Sequence, residues 1–122
     1  MFKELLLVGS GSFIGGVLRY LLSLLIKFDG THFPYATFFV NIMGCFIIGI
    51  IYSISLKNNI LSQNTILFLS IGLCGGLTTF STFSKESLQL VQNGFMGLSA
   101  LYIILSIAVG IFTVFLGFNI VK

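Results

Sequence analysis

The residues of this chain that can do chemistry inside an apolar setting are almost all neutral. Asn41 carries an amide, and Thr78, Thr79, Ser81, Thr82, Tyr102, Ser106 and Thr113 carry hydroxyls. Phe80 and Phe83 stand among the hydroxyls of the run TTFSTFS. An Asn amide offers two N–H donors and one acceptor, so it can hold an anion without a fixed charge or bond across to a neighbouring helix. A phenylalanine ring has a negative face and a positive edge, and edges turned toward a narrow path stabilise a small anion weakly. Arg19, Lys85 and Glu86 are the charges nearest the interior of an apolar run. Arg19 is close enough to the Lys27 end to snorkel, and Glu86 is expected to pair with Lys85 or Arg19, a structural role for all three. His32 stands alone in a turn and cannot build a metal site of the usual kind. No base, nucleophile and orienter form a set, so an enzyme is not expected.

These groups must be positioned by membrane helices. The chain is 57% hydrophobic and 7% charged, against about 25% charged residues in a soluble domain. Six Lys and Arg and three Asp and Glu cannot coat a surface in water. The basic residues are scattered singly, so the net charge of +3 gives no nucleic-acid patch. A helix needs roughly 20 apolar residues to cross a bilayer core. Four spans fit the 122 residues as one transmembrane domain: 5–26, 35–56, 62–91 and 95–120. The first is long enough to span and lacks a small-x-small cleavage site, so it reads as a helix and not a leader. Gly30 and Pro34 break the chain after it. Lys57, Asn58 and Asn59 make the second turn, Gln92 to Gly94 the third, and Lys122 closes the chain. Cys45 and Cys74 fall inside spans and read as reduced packing residues.

Small residues let helices approach in lipid. Gly11 and Gly15, Ser12 and Gly16, Cys45 and Gly49, and Ser106 and Gly110 are each four apart. The third span differs. Gly72, Gly75 and Gly76 precede Thr78, Thr79, Ser81 and Thr82, a cluster that favours a broken helix near mid-membrane. Unwound backbone at that depth survives only when buried in protein or lining a wet cavity, where its free polar groups become ligands. The Gly-Lys-Ser/Thr ending of a phosphate loop is absent. In the fourth span, Tyr102, Ser106 and Thr113 lie near about 0°, 40° and 20° on one helical face. Such a stripe is either a hydrated track or a set of hydroxyls satisfying nearby carbonyls.

Three segments together resemble the Fluc (CrcB) family of fluoride channels: GSFIGGVLRY (Gly11 to Tyr20), FFVNIMGCFIIG (Phe38 to Gly49) and, most specifically, GLCGGLTTFSTFSKE (Gly72 to Glu86). The resemblance implies a multi-pass protein of the cell membrane that exports fluoride passively, as an antiparallel dual-topology homodimer with two pores. It implies that Phe80 and Phe83 line the pores with Asn41, beside Ser81. It also implies that the carbonyls of Gly75 and Thr78 hold a central structural sodium ion. Tyr102 and Ser106 look like the start of the family's polar track, while Gly110 interrupts the pattern before Thr113. The chemistry suits this implication. Stripping water from fluoride is costly, and conduction needs binding strong enough to enter and weak enough to leave. Lys3, Lys57 and Lys122 fall on one side of the membrane, with Lys27, Arg19 and Lys85 nearer the other, so there is no clear orienting bias. Two other classes compete. A small proton-coupled multidrug exchanger needs an embedded carboxylate, and Glu4 lies at the very end of its span. A non-transporting assembly subunit leaves the TTFSTF run without a purpose.

Overall fold

The computed structural model describes residues 1–57 and 61–121. The turn residues Asn58 and Asn59 and the closing Lys122 lie outside them. Among the described residues the chain is all-helical, and four helical stretches are long and apolar enough to cross a membrane. The first is α1 (Phe2–Leu25), the second α2 (Tyr35–Ser55) and the fourth α6 (Met96–Ile120). The third, Gln63–Gln92, is built in pieces. It runs as α3 (Gln63–Leu67), a π-helical segment (Phe68–Cys74), a single turn α4 (Gly75–Leu77) and α5 (Phe80–Gln92). The third of these stretches is interrupted at Thr78–Thr79, as a broken helix requires.

Backbone accounting explains why these segments are helical. In lipid every N–H and C=O must find a partner within the protein, which a helix supplies from its own chain. The stops are local. Gly30 adopts φ +87°, a conformation that favours glycine. Beside it the Asp29 carboxylate accepts from the Thr31 N–H at 3.0 Å and from its hydroxyl, which holds the Asp29 carboxyl below its ordinary range. The third span opens on Ser62, whose hydroxyl accepts from the Thr65 N–H at 3.1 Å as an N-cap.

The spans run up and down. Asn93, after α5, donates to the Gly30 carbonyl at 3.0 Å, so the first and third turns meet at one end. Lys57 Nζ donates to the Val121 carbonyl at the other end. α2 and α6 form the most extensive pairing, and α1 lies against the π-helical segment and α4. Glycine makes the second approach possible. A Cβ built on Gly11 would stand 2.6 Å from the Phe68 carbonyl oxygen and 2.8 Å from the Leu73 nitrogen. One on Gly15 would stand 2.6 Å from the Leu77 nitrogen. Both obstacles are backbone, so any side chain would push α1 away. Gly16, by contrast, has nothing within 4 Å, and Gly110 meets only Cys45 and Ile42 at ordinary contact distance. Close packing through all the small-residue pairs is therefore not what the fold contains. The fully buried centre includes Tyr102, Leu90 and Ser99, between α5 and α6.

Candidate functional site

The break in the third span is set by where two backbone N–H groups go. In a continuous helix Thr79 N–H would bond the Gly75 carbonyl and Thr82 N–H the Thr78 carbonyl. Instead Thr79 N–H donates to Asn41 Oδ1 at 2.8 Å, and Thr82 N–H donates to Thr79 Oγ1 at 3.2 Å. Thr79 is extended (φ −153°, ψ 129°) and caps α5, while Thr78 is also extended (ψ 158°). The amide Nδ2 of Asn41 returns a bond to the Thr79 carbonyl at 3.1 Å. Asn41 thus replaces the helical neighbours of one residue in both directions. Nothing in its spacing from the TTFSTF run shows this, because the partner is 38 residues away.

The same diversion frees the carbonyls of Gly75 and Thr78. The third carbonyl at the break, that of Gly76, accepts from Arg19 Nε at 3.1 Å. Gly11, Gly15 and Arg19 stand at successive i+4 positions, so the two glycines bring α1 close and the guanidinium follows one turn later. Arg19 was expected to snorkel outward; it bonds inward because an unpaired carbonyl at this depth is costly. A cation at a helix C-terminal end is also favoured by the dipole. Gly75 is exposed and its carbonyl and that of Thr78 keep capacity for a cation, so the donor set suits a small hard ion that prefers oxygen. Among the described residues no cluster of three or more His, Cys, Asp or Glu could hold a metal.

Asn41, Gly75, Thr78, Phe80, Phe83 and Ser106 line a single open groove of about 630 Å³ between α2, the broken span and α6. Cys45 and Cys74 line it too, both as free thiols. Phe80 is 78% exposed at its rim. The rings of Phe80 and Phe83 are 5.7 Å apart and tilted by 48°. Phe83 meets the Tyr102 ring edge-on at 5.0 Å, and Phe33 from the first turn meets the same ring at 5.3 Å. Ser81 is outside the groove lining, its hydroxyl 3.2 Å from that of Thr79. No Lys, Arg, Asp or Glu is among the lining residues.

The three hydroxyls of the fourth-span stripe divide. Ser106 faces the groove, and its Oγ is buried without a hydrogen-bond partner among the described residues. Tyr102 is fully buried and its hydroxyl donates to Glu86 Oε1 at 2.9 Å. Thr113 bonds the Val109 carbonyl of its own helix at 2.6 Å. Glu86 differs from expectation as well. It is 8% exposed and accepts from Tyr102 and from the Thr37 hydroxyl at 2.9 Å. It forms no ion pair with Lys85 or Arg19 among the described residues. Two hydroxyl donors reach a buried carboxylate without the side-chain ordering that a long Lys or Arg requires. Thr37 was missed by sequence reasoning; its position one turn before Asn41 on α2 was the available signal.

Comparison with known proteins gives the family. Residues 6–118 match the family described as CrcB-like protein, Camphor Resistance (CrcB). A protein named fluoride-specific ion channel FluC from Azobacteroides pseudotrichonymphae is 48% identical over 119 residues, covering 97% of this chain and 95% of the relative. Others of that name come from Phocaeicola vulgatus, 50% identical over 116 residues (94% and 95%), and Flavobacterium psychrophilum, 44% over 121 residues (98% of each). With four apolar spans and a family match over nearly its whole length, the chain is a multi-pass protein of the cell membrane and belongs to the CrcB family.

Proposed function

We propose that this chain is a passive, fluoride-selective ion channel that exports fluoride, working as an antiparallel dual-topology homodimer with two pores. The observation that carries the reading is the groove. It gathers Asn41, Phe80, Phe83 and the Ser106 hydroxyl, which has no partner among the described residues, and none of its described lining residues carries a fixed charge. Neutral donors and ring edges replace part of the water around a small anion. A fixed cation would hold the anion too tightly for it to leave. Asn41 keeps one amide hydrogen beyond its two bonds to Thr79, enough to face a passing ion. The relatives named as fluoride-specific channels support the choice of ion.

The dimer draws support from what one copy leaves unmet. Phe80 and Gly75 are exposed at the break. A second copy related by a two-fold axis in the membrane plane would set the freed Gly75 and Thr78 carbonyls of both chains around one point. Four carbonyls there suit a structural sodium ion. A high-resolution map of the dimer is expected to show a spherical peak among these oxygens; an axis without one removes the site.

The functional test is ion efflux from liposomes holding the purified protein, followed with fluoride and chloride electrodes. Rapid fluoride efflux with chloride retained is expected. Comparable chloride efflux would end the claim of selectivity. A requirement for a proton gradient would transfer the protein to the exchanger class, with buried Glu86 as its carboxylate.

A further inference from the structure

A second cavity, of about 510 Å³, opens on the far side of α5 from the groove. Its walls carry Arg19, Lys27 and Lys85, and the single carboxylate among them is Glu86. Both oxygens of that carboxylate already accept from Thr37 and Tyr102. It lies within ion-pair distance of none of the three cations among the described residues. Three cations therefore share one cavity with a carboxylate that is turned toward other donors.

Arg19 shows what the cavity lacks. Its Nε is bonded to the Gly76 carbonyl. Its two terminal nitrogens, with four N–H donors, have no hydrogen-bond partner among the described residues. A planar fork of this kind matches two oxygens of one phosphate or carboxylate. A single-atom anion uses only part of it, so the fork is chemically distinct from the neutral groove. Lys27 and Lys85 add two point charges, and Ser23 and Thr82 add hydroxyls.

Depth and rim select the source of that oxyanion. α1 has 24 residues, about 36 Å, which exceeds a hydrocarbon core of about 30 Å. Arg19 lies six residues before the end of α1, roughly 9 Å along its axis, and Lys27 lies just past it. Lys27 sits at the depth at which basic side chains meet lipid headgroups, and the cavity runs inward from it to the Arg19 guanidinium beside the break. The rim is apolar and outward-facing: Tyr20 is 62% exposed and Leu24 46%, with Phe28 beside them. An acyl chain can lie along that rim while its headgroup enters the cavity. We propose that this cavity binds the phosphodiester headgroup of an anionic phospholipid, held by the Arg19 fork with Lys27 and Lys85. The site does not depend on whether the groove conducts fluoride.

The test is native mass spectrometry of the delipidated full-length protein, titrated with phosphatidylglycerol and, separately, phosphatidylcholine. Arg19 also caps Gly76, so Arg19→Gln can fail to fold; the leading variant is Lys27→Gln with Lys85→Gln, two exposed residues. The parent is expected to retain phosphatidylglycerol in preference to the neutral lipid. The double variant should bind it roughly thirtyfold more weakly, the effect of two interfacial charges. Equal retention by parent and double variant, or equal retention of the two lipids, overturns the proposal. Displacement of phosphatidylglycerol by millimolar inorganic phosphate overturns the lipid source and leaves a dissolved-anion site. Fluoride efflux is not read, so failure here is separate from failure of the channel.

Discussion

Asn41 holds both backbone polar groups of Thr79, accepting from its N–H at 2.8 Å and donating to its carbonyl at 3.1 Å. The residue that breaks the third helix is thereby satisfied as fully as a helical one, by one side chain from another span. The break needs no water at that point, and the Gly75 and Thr78 carbonyls are freed as its direct consequence.

Asn41→Asp and Asn41→Ser separate this clamp from any pore role. A carboxylate still accepts from the Thr79 N–H but cannot donate to its carbonyl, and it places a negative charge in the groove. A buried carbonyl left unpaired costs about 1–3 kcal/mol. Fluoride flux in liposomes is expected to fall at least tenfold for Asp and less for Ser. Parental flux from the Asp variant would remove Asn41 from the conducting path.

Phe80→Ile and Phe83→Ile should both lower fluoride flux, since Ile keeps bulk and loses the positive ring edge. They should differ in stability. Phe80 is 78% exposed, whereas Phe83 packs edge-on against the buried Tyr102 ring at 5.0 Å. An aromatic pair contributes about 0.5–1.5 kcal/mol beyond its burial, so only Phe83→Ile should lower the thermal midpoint in detergent. Normal flux from both variants would show that ring edges are not part of the path.

Gly15→Ala and Gly16→Ala are neighbouring substitutions with opposite expectations. The Gly15 Cβ would stand 2.6 Å from the Leu77 nitrogen, and that of Gly16 meets nothing within 4 Å. Overpacking of this kind costs about 1–3 kcal/mol. Because α1 also carries Arg19 to Gly76, the Gly15 variant should lose flux along with stability. Thermal unfolding followed by light scattering of the detergent-solubilised protein reads the difference. Equal midpoints for the two variants would mean that α1 yields without cost.

The sequence made the four spans and the broken third one legible because apolar length and clustered glycine report directly on what lipid permits. It did not reveal which partner each polar side chain finds. Ser106 and Thr113 sit within about 20° of each other on one helical face. Yet Ser106 opens on the groove and Thr113 bonds Val109 on its own helix. Periodicity gives a direction around a helix, and the neighbour at each height is set by packing. Glu86 illustrates the same gap. Charge proximity in sequence pointed to Lys85 or Arg19, but Thr37 and Tyr102 meet the carboxylate in the buried layer.

The last prediction concerns orientation. Asn93 meets Gly30 at one end of the helices and Lys57 meets Val121 at the other, so the two ends can be assigned to opposite membrane faces. Lys3 and Lys57 lie at one end, while Lys27 lies at the other with Arg19 and Lys85 nearer it. Insertion is oriented by an excess of Lys and Arg on one side, and this chain with Lys122 divides three against three. The chain is expected to insert in both orientations. A single Cys introduced at Asn58, in a variant lacking Cys45 and Cys74, reports the side of the second turn in intact cells. An impermeant thiol reagent should label about half of the molecules from outside, the even division that a balanced charge count predicts, and the remainder only after lysis. Adding two Lys to that turn should pull the distribution toward one orientation and, because an antiparallel dimer needs both, lower fluoride efflux from cells. Labelling of the starting protein that is wholly outside or wholly protected would rule out dual topology, whatever the flux.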